Sequence, residues 1–214
     1  HLLASFAPRS RQIAIALRGP MVERTATEAI ADFVDPFAHQ ALCAFMGWPV
    51  EDWNQISDWT HGNQDAAFRH DREAGARLAR EFAAYVTEML QARRADGSIG
   101  DLMGDLVRTR VHDKQLSDEQ IVGLLRTWTA GHGTVAAAIG IVLRHLAAPH
   151  ELQARLRAEP DLLDATNGGA PRSDGPLAAN NPPPPQDGEY KRREHRAAHG
   201  ITLRVAAPTP ECWR

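Results

Sequence analysis

Residues 116–148 read LSDEQIVGLLRTWTAGHGTVAAAIGIVLRHLAA, and this stretch decides the fold. Ser117 is followed three residues later by Gln120, with Asp118 and Glu119 between them. That is a helix start with a capping box, and its acids suit the positive end of the helix dipole. The pattern predicts one long helix from 117 to about 148, apolar on nearly every side between Trp128 and Leu143, as in a helix crossing the middle of a helical domain. Within it, Ala130-Gly131-His132-Gly133-Thr134 places two glycines in the helix interior, where each costs about 1 kcal/mol relative to alanine. Small residues there permit close approach of a second helix or of a flat cofactor, and Thr134 adds a hydroxyl. On the residues alone the plainer alternative stands first: the glycines relieve crowding against a neighbouring helix, and Thr134 bonds back to a carbonyl one turn earlier.

Working outward, Pro149 is expected to stop this helix, and Glu151 to Arg157 supplies a further helical stretch. On the amino-terminal side, Ala74, Leu78, Phe82, Tyr85, Val86, Met89 and Leu90 recur every three or four residues between Asp71 and Arg94. This predicts an amphipathic helix packed against the central one and closed by Asp96-Gly97-Ser98. Asp101 to Arg110 reads as a short helix and Val111 to Gln115 as a polar turn. Phe33, Phe37, Leu42 and Phe45 mark an earlier helix ended by Gly47-Trp48-Pro49, with Pro49 suited to the first turn of the next, through Glu51 and Trp59. Trp48, Trp53, Trp59 and Trp128 at helical positions are expected to be packing residues.

Residues 1 to about 165 therefore form a mainly helical core, and 166–214 an irregular, Pro-rich continuation. That tail holds Gly168-Gly169, Pro182 to Pro185 and the charged run Lys191 to His195, with weak strand-like patches at Ile201 to Val205. The 24 Lys and Arg against 27 Asp and Glu give a net charge of −3 without a dense basic block, which argues against nucleic acid as a partner. The longest stretch without Asp, Glu, Lys or Arg, Thr127 to Leu143, is too short and glycine-rich for a membrane span, so no membrane partner is expected. Cys43 and Cys212 are far apart and outside any zinc-ligand spacing, which fits a reducing cytoplasm; no metal site is read. His145 and His150 do not share one helical face, and most of the ten histidines are expected to be solvated. The chain begins with His1, and no signal-peptide pattern follows, so the start is expected to be internal.

Several stretches together resemble the cytochrome P450 family, particularly its bacterial soluble members. Ser5-Phe6-Ala7-Pro8-Arg9 resembles the segment after that family's third helix. Phe33-Val34-Asp35-Pro36-Phe37-Ala38 and Phe45-Met46-Gly47-Trp48-Pro49 resemble the lead into its next helices. Leu116 to Ile121 with Ala130 to Thr134 resembles its long helix over the haem, where the pattern is Ala-Gly-any-acid-Thr. Ala130, Gly131 and Thr134 match, whereas Gly133 stands in the acid's place. Extending the register without gaps brings in Asp174 to Leu177 and sets the family's Glu-any-any-Arg motif on Gly169 and Arg172: the arginine is kept, the glutamate is not.

The resemblance implies a haem cofactor and a monooxygenase that inserts oxygen into a small organic substrate, using electrons from a ferredoxin or flavoprotein donor. It implies catalytic roles for Thr134, with His132 or water in the place of the missing acid's proton relay. It implies contacts to the cofactor from Ala130, Gly131, Gly133 and Arg172. Haem ligation needs a cysteine in a Gly-rich loop, and neither Cys43 nor Cys212 has one, so Cys43 is read as a core residue and the chain as an inactive fragment. The other reading is a non-catalytic helical binding or regulatory domain whose Pro-rich tail docks a partner.

Overall fold

The computed structural model describes residues 2–24, 26–97, 101–147 and 150–162, and the backbone of short strand residues at 179–180, 188–190, 193–195 and 203–204. The chain divides into two compact units, His1–Ala136 and Ala137–Arg214. The boundary expected near 165 falls outside the described residues.

The first unit is built from helices. Helix α1 (Leu2–Val22) carries Pro8 and Pro20 within it. A π-helical turn, Ile30–Val34, runs directly into α2 (Asp35–Met46), whose second residue is Pro36. Gly47 ends α2 in the left-handed region at φ 81°, and its N–H donates to the Cys43 carbonyl at 3.0 Å. A side chain at Gly47 would collide with the Asp101 carboxylate as well as strain the backbone. Pro49 precedes a 3-10 turn, Val50–Asp52, that leads into α3 (Trp53–Phe68).

Helix α4 (Arg72–Asp96) starts at Asp71, whose side chain accepts from the Ala74 N–H at 2.9 Å, and stops at Gly97 with φ 66°. Arg93 pairs with Asp101 at 2.6 Å and donates to the Gly47 carbonyl at 3.0 Å, joining the ends of α2 and α4 to the start of α5 (Leu102–Arg108). Val111 to Gln115, expected as a polar turn, and Arg110, expected to end the short helix, form a small antiparallel hairpin of β1 (Arg110–Val111) and β2 (Lys114–Gln115). His112 and Asp113 both take positive φ there, the geometry that two-residue hairpin loops require.

The core lies where α2, α3, α4 and α6 (Asp118–Gly131) meet. Leu42, Cys43, Met46, Ile56, Val86, Leu90, Ile121 and Leu125 fill it together with an aromatic cluster. In that cluster Trp48 and Trp59 each lie edge-on to Phe82 and Tyr85, with centroids 5.2–6.0 Å apart. Edge-to-face pairs of this kind add about 0.5–1.5 kcal/mol each beyond area burial. The Tyr85 hydroxyl donates to Asp52 at 2.8 Å, whereas the buried Trp48 indole N–H has no partner among the described residues. Cys43 is fully buried here, as expected for a core thiol.

The expected single helix over 117–148 is two. Helix α6 opens with the predicted capping box, Ser117 Oγ accepting from the Gln120 N–H at 3.3 Å and Gln120 Oε1 from the Ser117 N–H at 2.9 Å. It ends at Gly131, and α7 (Gly133–Ala147) starts after His132. The His132 N–H turns back to the Thr129 carbonyl at 3.1 Å, a tightened i to i−3 bond, and Thr134 Oγ1 donates to the Gly131 carbonyl at 2.8 Å. Two glycines flanking the joint weaken the helix just where these local bonds compete with it. The expectation of burial between Trp128 and Leu143 holds at Thr129 and fails elsewhere: Trp128 and Val135 are exposed, and no described residue of α7 is buried.

The second unit contains the rest of α7 and α8 (His150–Ala158), linked by Gln153 Nε2 donating to the Leu146 carbonyl at 2.9 Å. Two short antiparallel pairs follow: β3 (Ala179–Asn180) with β6 (Leu203–Arg204), and β4 (Gly188–Tyr190) with β5 (Arg193–His195). Pro149, expected to stop the central helix, lies outside the described residues, as do the Pro182–Pro185 run and Arg172. Among the described residues no helix is long and apolar enough to cross a membrane.

Candidate functional site

The helix joint at His132 forms one wall of an apolar groove of about 520 Å³ within the first unit. Helix α1 contributes Phe6 and Ser10, α2 contributes Phe37, Ala38, Ala41, Leu42, Phe45 and Met46, and the α6–α7 wall contributes Thr127, Trp128, Gly131, His132 and Val135. Phe45 is central to it, edge-on to Phe6 at 5.3 Å and tilted over Trp128 at 6.3 Å. Gly131 faces open space, with no atom within 4 Å of where a Cβ would stand. A flat apolar body could lie against the wall at that point.

The five consecutive candidates do not share one face. Ala130 looks the other way, lining a cavity of about 30 Å³ with Trp59, Thr60 and Phe82. Gly131 and His132 line the groove, and Gly133 packs against the Gln64 side chain. Thr134 is exposed, with its hydroxyl proton held by the Gly131 carbonyl. Gly133, against α3, and Thr134, bonded back to a carbonyl, sit as the plainer sequence reading has them, whereas Gly131 relieves no crowding. His132 Nε2 lies 2.7 Å from the Ala38 carbonyl, which can only accept, so that nitrogen carries a proton. Burial pulls the His132 pKa down, partly offset by that hydrogen bond, and the neighbouring His39 lowers it further.

Sequence reasoning missed the polar cluster behind this wall. His39, fully buried on α2, has Nδ1 at 2.9 Å from the Asp35 carbonyl and 3.3 Å from the Asp35 carboxylate. His61 Nε2 reaches the same carboxylate at 3.2 Å, and Ser57 Oγ donates to it at 2.8 Å. The rings of His61 and His132 each stand edge-on to His39 with centroids 5.8 Å away. The one available signal was His39 itself, a histidine amid the apolar positions of α2. Among the described residues no group of three His, Cys, Asp or Glu side chains is arranged to hold a metal ion.

A haem in this groove would find a suitable wall but no iron ligand among the described residues. Cys43 does not line the groove, and burial with Asp52 nearby pushes its thiol up to about 12, so it is protonated and enclosed. Ligation needs the thiolate. Cys212 lies outside the described residues. The residues present fit the face of such a cofactor and not its metal.

No family model matches the chain. Among curated proteins it is 31% identical over 148 residues to a probable cytochrome P450 of Sinorhizobium fredii, covering 66% of this chain and 33% of the relative. It is likewise 31% identical over 141 residues to the biotin biosynthesis cytochrome P450 of Bacillus subtilis, covering 64% and 35%. The chain thus spans about a third of the curated relatives it matches. Among solved structures, the Bacillus subtilis bacillaene polyketide synthase cytochrome P450 superposes with a TM-score of 0.84 at 20% identity, over 94% of this chain and 52% of that one. A P450 solved in complex with an acyl carrier protein carrying hexadec-9Z-enoic acid gives 0.82 at 23% identity, over 95% and 53%.

Proposed function

We propose, from the premise that this chain belongs to the cytochrome P450 family, that it supplies one apolar wall of a haem monooxygenase chamber and does not by itself complete the reaction. The family's cofactor, haem, supplies the oxygen chemistry when bound; Gly131 and Trp128 are the residues of this chain that would lie along it. In a whole protein of this kind the substrate would be a small, largely apolar organic molecule, and electrons would come from a ferredoxin or flavoprotein donor. The groove supports that substrate class, because its lining offers aromatic and aliphatic side chains and few polar groups.

The observation that carries the reading is the disposition of protons and thiols around the groove. The Cys43 thiol is sealed in the core as a neutral group. Gly133 has no carboxylate to deliver a proton, His132 Nε2–H is held by the Ala38 carbonyl, and the Thr134 hydroxyl is held by the Gly131 carbonyl. Among the described residues that line the groove, the Ser10 and Thr127 hydroxyls and the His132 Nε2–H are each held by a backbone carbonyl. The test is to add haem to the full chain, reduce it under carbon monoxide and record the absorbance. The expected result is no thiolate-type band and no substrate turnover; a stoichiometric thiolate band would overturn the proposal.

A further inference from the structure

We propose that His39 and His132, with Asp35 and His61, form an acid-sensitive latch that holds the α6–α7 joint, and with it the groove wall, against α2. The latch is independent of haem. Its parts come from three places: Asp35 and His39 on α2, Ser57 and His61 on α3, and His132 at the joint. A long-range hydrogen bond at the joint itself runs from His132 Nε2 to the Ala38 carbonyl at 2.7 Å, next in sequence to His39.

With both rings neutral the arrangement is consistent. His39 donates from Nδ1 to the Asp35 carbonyl, which leaves Nε2 as a bare lone pair, buried and without a partner among the described residues. An added proton would go to that nitrogen, where it would form a buried cationic N–H with no acceptor. His132 already uses Nε2–H, so its added proton goes to Nδ1, placing a second cation one ring away. The Asp35 carboxylate acts on both rings, His61 on His39, and His39 on His132. That one carboxylate already receives Ser57 and faces His61, so it cannot compensate two further cations.

The sign follows from the direction of the shifts. Burial lowers both histidines below the ordinary 6.5. The folded chain then binds fewer protons than the unfolded chain, so the contribution is fully present above pH 6.5 and is lost as pH falls through the folded-state values. The gain in unfolding constant is up to about tenfold per histidine for each pH unit below the unfolded value.

The experiment is urea unfolding of the full chain from pH 7.5 to 5, beside His39→Gln and His132→Gln, paired with amide hydrogen exchange of the wild type corrected for intrinsic rates. The latch predicts a steep acid loss that each substitution flattens by about tenfold per pH unit at most. It also predicts that the Val135 and Ala136 amides, which bond to the His132 carbonyl, open on acidification before those of Val86 and Leu90 in α4. Equal acid slopes in all three chains would overturn it. If neither variant folds, the exchange data decide, and joint amides that never open ahead of α4 overturn it equally.

Discussion

Helix α6 has two apolar faces that the sequence writes in the same way and the fold treats differently. Ile121, Leu125 and Thr129, spaced by four, are buried against α4 and the aromatic cluster. Leu124, Trp128 and, past the joint, Val135 carry side chains just as apolar and are 46%, 50% and 44% exposed. The comparison teaches that periodicity shows which residues can be buried, while burial itself depends on what else is there to cover them. The covered face is held by rings and capped helix ends, the bare one by a groove and a hydrogen bond to Ala38.

The strongest way to break the comparison is Phe82→Ala, which removes the ring shared by Trp48 and Trp59. A loss of about 3–5 kcal/mol in urea unfolding is expected. Gly47→Ala should follow at about 1–3 kcal/mol, because the new methyl meets the Asp101 carboxylate at a left-handed backbone position, and Arg93 holds that carboxylate in place. Ser117→Ala, which removes the α6 cap, is expected to cost about 1 kcal/mol by the same measurement. Trp128→Gln, on the bare face, should fall within about 0.5 kcal/mol of wild type. A Trp128 substitution as costly as Phe82→Ala would show the bare face to be covered in solution, and would erase the contrast.

What was legible in the sequence was local. The Ser117–Gln120 box, the Gly97 stop and the four-residue spacing of Phe82, Val86 and Leu90 all act within one or two turns, so a linear reading finds them. The family resemblance carried the fold further than periodicity could. The glycines that weaken the helix at His132 were legible, but the long-range bond that meets the joint was not, because its acceptor, the Ala38 carbonyl, lies 94 residues earlier in the chain. The polar cluster was hidden for the same reason, with Ser57 and Asp35 lying 22 residues apart. The exposure of Trp128 was hidden for a different one: an apolar stripe reads alike whether or not anything lies on it. Of the candidate site, Gly131 and His132 do line the groove, whereas Ala130 faces the opposite side of the helix and Arg172 lies outside the described residues.

The central contrast is most directly measured by hydroxyl-radical labelling of the full native chain, with oxidation read residue by residue in a mass spectrometer. The account predicts that Trp128 is labelled several-fold faster than Trp48 and Trp59, whose exposures are 3% and 8%. Equal protection of all three tryptophans would contradict it.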